Sequence, residues 1–235
     1  MKKKAHSVTC LPLFARSKQP IVGPKTALVF GATRGGTSVI AGAVRGFGFF
    51  MGDNLPVNNE DADFVRKPIA AMKATIQQRN ESFGNWGWKY PMAAAYLDEL
   101  LPGIRNPVLI VVCRDIAAVA SWQKGNLRKR VSAGLEYALL QNQKNLLLSL
   151  RWRLPSLFVS YERATGDASS FVSELGEFLG CSLAVDEARL LAYMERGGYK
   201  SFDEIVSGET ASAPSDAEGS DGSDSSSEFS GNFES

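Results

Sequence analysis

The chain has 235 residues, 26 Lys+Arg against 25 Asp+Glu, and 44% hydrophobic residues, enough for one medium domain with a real core plus tails. A net charge of +1 gives no reason to expect nucleic acid or an anionic membrane surface as a partner. Three cysteines (Cys10, Cys113, Cys181) without a CxxC spacing exclude a dense disulfide frame or a zinc cage and fit a reducing, cytoplasmic setting.

Residues 1–23 read as a basic, partly ordered leader. The apolar stretch Thr9–Ala15 is too short and broken for an export signal, and no run reaches the roughly 18–20 apolar residues of a membrane span. The leader also holds the only histidine, His6, so the folded body has no His general base. A domain is expected over residues 24–207. Its first buried strand is Ala27–Gly31, continuous in hydrophobicity as strands covered on both faces are. Helical character follows over 37–45, 61–78 and 93–101, then a second apolar strand, Val108–Cys113. A long helix over 131–150, a third strand at Leu157–Ser160 and a helix over 168–179 complete the body. Strands alternating with helices predict an α/β fold, a three-layer P-loop-like arrangement with a central, mainly parallel sheet. Residues 208–235 hold seven acids and no base, with abundant Ser and Gly, a composition that predicts disorder. Without that tail, residues 1–207 carry 26 bases against 18 acids, so the near-neutral total conceals a basic body suited to a polyanion.

The first strand runs into Gly31-Ala32-Thr33-Arg34-Gly35-Gly36-Thr37-Ser38 and then a helix. Strand, glycine turn and helix in that order make an anion site, because glycine admits close backbone approach and first-turn N–H groups lack intrahelical partners. The spacing is that of a P-loop, with Thr37 where a triphosphate hydrolase carries Lys; Arg34 is the cation left in the loop. The same turn also serves a plainer role, capping the helix through Thr37 or Ser38. The second strand ends in Arg114-Asp115, with Ser121 two helical turns on, at a strand terminus where α/β sheets bind ligands. A guanidinium and a hydroxyl there would clamp a phosphate; the alternative pairs Arg114 with Asp115 or a helix end.

Together these motifs resemble the sulfotransferases that use 3′-phosphoadenosine 5′-phosphosulfate (PAPS). The loop Thr33–Ser38 matches the turn that holds the 5′-phosphosulfate, and Arg114-Asp115 with Ser121 matches the segment that holds the 3′-phosphate. Trp86-Gly87-Trp88-Lys89-Tyr90-Pro91 and Val159-Ser160-Tyr161-Glu162-Arg163 are similar to stretches of bacterial members. The sequence departs from the family in carrying Arg34 for the usual loop Lys. Arg114 and Ser121 also lie one residue closer than usual.

The resemblance implies transfer of a sulfuryl group from PAPS to a hydroxyl of a carbohydrate or small metabolite, leaving 3′-phosphoadenosine 5′-phosphate (PAP), without a metal. Arg34 and the N–H groups of 35–38 are expected to stabilise the leaving oxygen. With no His, the base should be a carboxylate: Glu60 first, Asp61 second, in Asn58-Asn59-Glu60-Asp61. The plainer role for this run is a helix cap with an acidic first turn. Lys89 either touches the sulfate or acceptor, or sits over Trp86 or Trp88 as a cation–π pair. Arg196-Gly197-Gly198 is a weaker candidate for the 3′-phosphate. The competing reading is a small-molecule kinase or other nucleotide binder on a degenerate P-loop.

Overall fold

A computed structural model describes residues 8–14, 22–127, 130–195, 197 and 200–207. His6 and most of the leader, Arg196, Gly198 and the acidic tail 208–235 lie outside the described residues, and so do the expectations placed on them. The elements in chain order begin with β1 (Cys10–Leu13), β2 (Thr26–Gly31), α1 (Thr37–Gly46) and α2 (Ile69–Ser82). Next come β3 (Trp86–Lys89), α3 (Leu97–Leu100), β4 (Pro107–Cys113), α4 (Ile116–Leu127) and α5 (Val131–Trp152). The last are β5 (Ser156–Ser160), α6 (Tyr161–Gly166), α7 (Ala168–Leu179), α8 (Glu187–Met194) and α9 (Phe202–Ser207).

The strands form one sheet in the order β1-β5-β4-β2-β3. β2 to β5 run parallel, with Leu28 paired to both Trp88 and Leu109, while β1 closes one edge antiparallel to β5. The fold is therefore α/β around a mixed, mainly parallel sheet. Successive strand residues point to opposite faces, and the core divides accordingly. Ala27, Val29, Val108, Ile110 and Leu157 pack with α1, α7 and α8 on one face. Leu28, Phe30, Trp86, Trp88 and Leu109 pack with α2 and α3 on the other. No helix among the described residues is long and apolar enough to cross a membrane.

Six expected elements are found nearly as drawn: the strands at β2, β4 and β5 and the helices at α1, α5 and α7. The helix expected over 61–78 is instead a short turn at Ala62–Phe64 followed by α2, which starts only at Ile69. Pro68 explains the break, since it lacks an N–H and biases the preceding residue away from helical angles. The stretch 93–101 is also broken, into the turn Ala93–Ala95, α3 and the turn Leu101–Gly103. β1 and β3 were not expected as strands. β1 carries Pro12 and pairs on one side only, as Pro-containing edge strands do.

Candidate active site

β2, in the interior of the sheet, delivers its carboxyl end to the glycine turn. There Arg34 has φ 65° and Gly36 has φ 84°, and Gly35 N donates to the Ala32 carbonyl at 2.8 Å. Gly36 is required: a Cβ on it would overlap the Tyr161 ring, and its left-handed angle suits glycine. Gly36 also precedes the first turn of α1, and no side chain caps that end. Thr37 and Ser38 are buried in the helix, so the plain capping role does not fall to them. The first-turn N–H groups have no acceptor within the helix and carry the positive end of its dipole.

Two distant helices brace this turn. Tyr137 on α5 donates to Thr33 Oγ1 at 2.9 Å. Tyr193 on α8 donates to the Ser38 carbonyl at 3.1 Å, as does Asn59 Nδ2 at the same distance. Arg45 Nη1 in turn donates to Asn59 Oδ1 at 3.1 Å. The Tyr193 ring fits against α1 because Gly42 leaves room where a Cβ would collide with it. Burial pushes the Tyr193 hydroxyl up to about 12, so it remains a donor at neutral pH.

Arg114 follows β4, adjacent to β2, and its Nη1 donates to the Arg34 carbonyl at 2.7 Å. Its guanidinium lies 4.8 Å from the Tyr161 ring centroid, and its Nε is 3.8 Å from Glu162 Oε1. That Nε is buried and has no hydrogen-bond partner among the described residues. Neither alternative role for Arg114 is seen here. Asp115 instead caps α4, accepting from Ala118 N at 2.9 Å, and Glu162 accepts from Asp115 N at 3.1 Å. Ser121, on α4, is exposed and is not among the residues facing Arg114's cleft.

β3 lies on the other side of β2. Because Trp86 and Trp88 face the core layer with Phe64, strand alternation turns Lys89 to the opposite face. Lys89 therefore makes no cation–π pair with either tryptophan; its Nζ donates to Glu60 Oε1 at 2.8 Å and to the Asn58 carbonyl at 3.1 Å. The cation over Trp86 is Arg79, 5.8 Å from the ring. The Lys89 side chain is 2% exposed and that of Glu60 25%, so the carboxylate opens to solvent while the ammonium does not. Burial holds the Lys89 ammonium below its ordinary value, and the bond and charge of Glu60 partly offset this. Glu60 is placed by its own N–H, which donates to Asn58 Oδ1 at 3.1 Å. Asp61 turns the other way: it forms a buried ion pair with Arg79 and caps the turn 62–64 by accepting from Asp63 N.

These strand ends surround one cleft of about 640 Å³. Thr33, Arg34, Gly36, Thr37 and Ser38 line it, together with Glu60, Lys89 and Arg114. Gly35, Asp61 and Ser121 do not. Among the described residues, the cations facing it are Arg34, Lys89, Arg114 and Lys200, and the one facing carboxylate is Glu60. An anion is the ligand such a charge balance favours. Sequence reasoning missed the aromatic wall. Tyr161, partly buried against the core, lines the cleft, as does Tyr193. Asn59, read as a possible helix cap, is buried in the network behind the loop. Among the described residues no three His, Cys, Asp or Glu side chains gather as a metal site. Compared with models of known protein families and with curated proteins, the sequence matches none.

Proposed function

We propose that the protein is a PAPS-dependent sulfotransferase built on a P-loop-like frame, acting on a hydroxyl of a carbohydrate or small metabolite. The observation that carries this reading is the convergence of the glycine turn, Arg114 and the Lys89–Glu60 pair on one cleft. That cleft sits where the strand order reverses, since β2 is followed by β3 on one side and by β4 on the other, the usual ligand position in such sheets. Its volume suits a nucleotide-sized ligand. Its donors suit a polyanion: the first-turn N–H groups of α1 and the guanidinium of Arg114, which lines the cleft.

In this reading the turn Thr33–Ser38 and Arg114 hold the donor, which supplies an activated sulfuryl group whose S–O bond to phosphate breaks as the acceptor oxygen attacks. Arg34 and the N–H groups of residues 35–38 take up the charge on the departing oxygen. Glu60 receives the acceptor's proton, and Lys89 orients that carboxylate through its hydrogen bond. Arg114 also fixes the turn itself through the Arg34 carbonyl. Positioning and electrostatics then do most of the catalysis, as in phosphoryl transfer.

One observation favours a second reading, a small-molecule kinase or other nucleotide binder. Lys89 reaches the cleft from β3 and supplies beside the loop a lysine that the loop lacks. Against it, the strand-end carboxylate Asp115 is engaged as the cap of α4. Thermal-shift measurements separate the two. PAP at a hundredfold excess over its Kd should stabilise the protein by about 2.7 kcal/mol, several degrees in Tm. Stabilisation by ATP with Mg²⁺ and none by PAP overturns the sulfotransferase reading.

A further inference from the structure

Helix α5 is amphipathic in an unexpected sense. The residues it buries are Gly134, Ala138, Asn145 and Ser149, and among the described residues neither amide atom of Asn145 finds a hydrogen-bond partner. Five of its leucines face out: Leu139 is 57% exposed, Leu140 52%, Leu146 43%, Leu147 55% and Leu150 41%. A stripe of this kind on a helix normally packs against another body.

The stripe has an internal symmetry that identifies the body. Gln143 is its midpoint, with leucines three and four residues before it (Leu140, Leu139) and three and four residues after it (Leu146, Leu147). At 100° per residue all four lie within about 60° of the Gln143 direction. A pattern that reads the same from both ends is complementary to its own reversed copy, as a twofold interface requires. Charge agrees. Exposed Glu136 lies seven residues before the midpoint, and Lys144 and Arg151 lie one and eight residues after it. Reversal brings Glu136 of one copy beside Arg151 of the next, whose guanidinium also pairs with Asp98 of its own chain; a parallel pairing stacks like on like.

We infer that the protein self-associates as a twofold dimer through antiparallel packing of α5 on α5 of a second copy. Leu140 packs on Leu147 and Leu139 on Leu146 across the axis, and the Gln143 amides, each both donor and acceptor, meet at the centre. The same helix carries Tyr137, whose hydroxyl holds Thr33 of the glycine turn. The contact therefore stiffens a support of the candidate active site from its far side.

Sedimentation equilibrium of the full chain across the micromolar range tests this. The native chain should be a dimer, and Leu140→Glu combined with Leu147→Glu should weaken association more than about 100-fold by placing charges in an apolar contact. Both positions are exposed in the single chain, so the variant should keep its circular-dichroism spectrum as a monomer, with a melting temperature that no longer depends on concentration. A monomeric native chain overturns the proposal, as does a variant that stays dimeric. Should the double variant fail to fold, Gln143→Cys gives an independent readout. Mild oxidation should link its two copies through the new residue, and absence of a covalent dimer overturns the proposal.

Discussion

Glu60→Gln separates the chemistry of the cleft from its architecture. Gln keeps an oxygen that accepts from the Lys89 ammonium, now 2.8 Å away, but removes the charge and the proton-accepting capacity. Breaking a fully buried ion pair costs about 3–5 kcal/mol. Here the Glu60 side chain is 25% exposed and the substitute still accepts a bond, so the stability loss should be about 1–2 kcal/mol. Loss of a general base should cost about 10²–10⁴-fold in turnover, or roughly 3–5 kcal/mol of barrier. The kinetic loss therefore exceeds the loss of stability.

A third effect follows from charge. Burial already holds Lys89 below its ordinary value, and the Glu60 carboxylate partly reverses this. Without that carboxylate Lys89 should give up its proton at a still lower pH, and the alkaline limb of residual activity should move down. The assays are sulfate transfer at saturating PAPS over a pH series, calorimetric PAP affinity, and urea denaturation. PAP affinity should hold while turnover falls. Unchanged turnover removes Glu60 from the proton transfer, and a parallel fall in PAP affinity would mean that Glu60 shapes the nucleotide cleft instead.

Lys89→Met should differ from the native chain in a pH-dependent way. The folded-state value of Lys89 lies below that of the unfolded chain, so between the two the unfolded chain binds more protons and native stability rises with pH. Urea denaturation should therefore show the native chain gaining on Lys89→Met as pH climbs from neutral toward 10.5; a constant difference contradicts the assigned burial. Asp61→Asn should cost about 2–3 kcal/mol, because it leaves the Arg79 guanidinium, whose side chain is 6% exposed, with only the half-exposed Asp63 at 3.0 Å. Turnover per folded molecule should be unchanged, and a loss comparable to that of Glu60→Gln would transfer the base role to Asp61. Gly36→Ala forces a Cβ into the Tyr161 ring at φ 84°, costing about 1–3 kcal/mol in backbone strain alone. Calorimetry should show PAP affinity falling at least about tenfold; retained affinity means the ligand does not approach this turn.

What could be read in the sequence followed from proximity along the chain. The strands at β2, β4 and β5 announce themselves as short unbroken apolar runs, and the glycine turn and Arg114 directly follow two of them. β3 has only four residues, and its strand character rests on pairing with β2 and on Trp86 and Trp88 stacking with Phe64. The Lys89–Glu60 contact spans 29 residues, and no local pattern marks it. Half of it was still within reach: if Trp86 and Trp88 share the core face, alternation sends Lys89 to the other. The tyrosines behind the turn come from α5 and α8, far along the chain, and only folding brings them together.

The outer surface of α5 shows where periodicity stops informing. A helical repeat of leucines establishes that a helix has an apolar side, and over 131–150 it places the helix correctly. It does not establish which body covers that side. In α5 the core accepts the face of small residues, with Gly134 allowing close approach to Ala120 of α4, and five of its leucines are left outside. Burial of leucine on folding is worth about 1.5–3 kcal/mol per side chain, so leaving five of them half exposed forgoes several kcal/mol within one chain. Association through that face recovers the same quantity between chains.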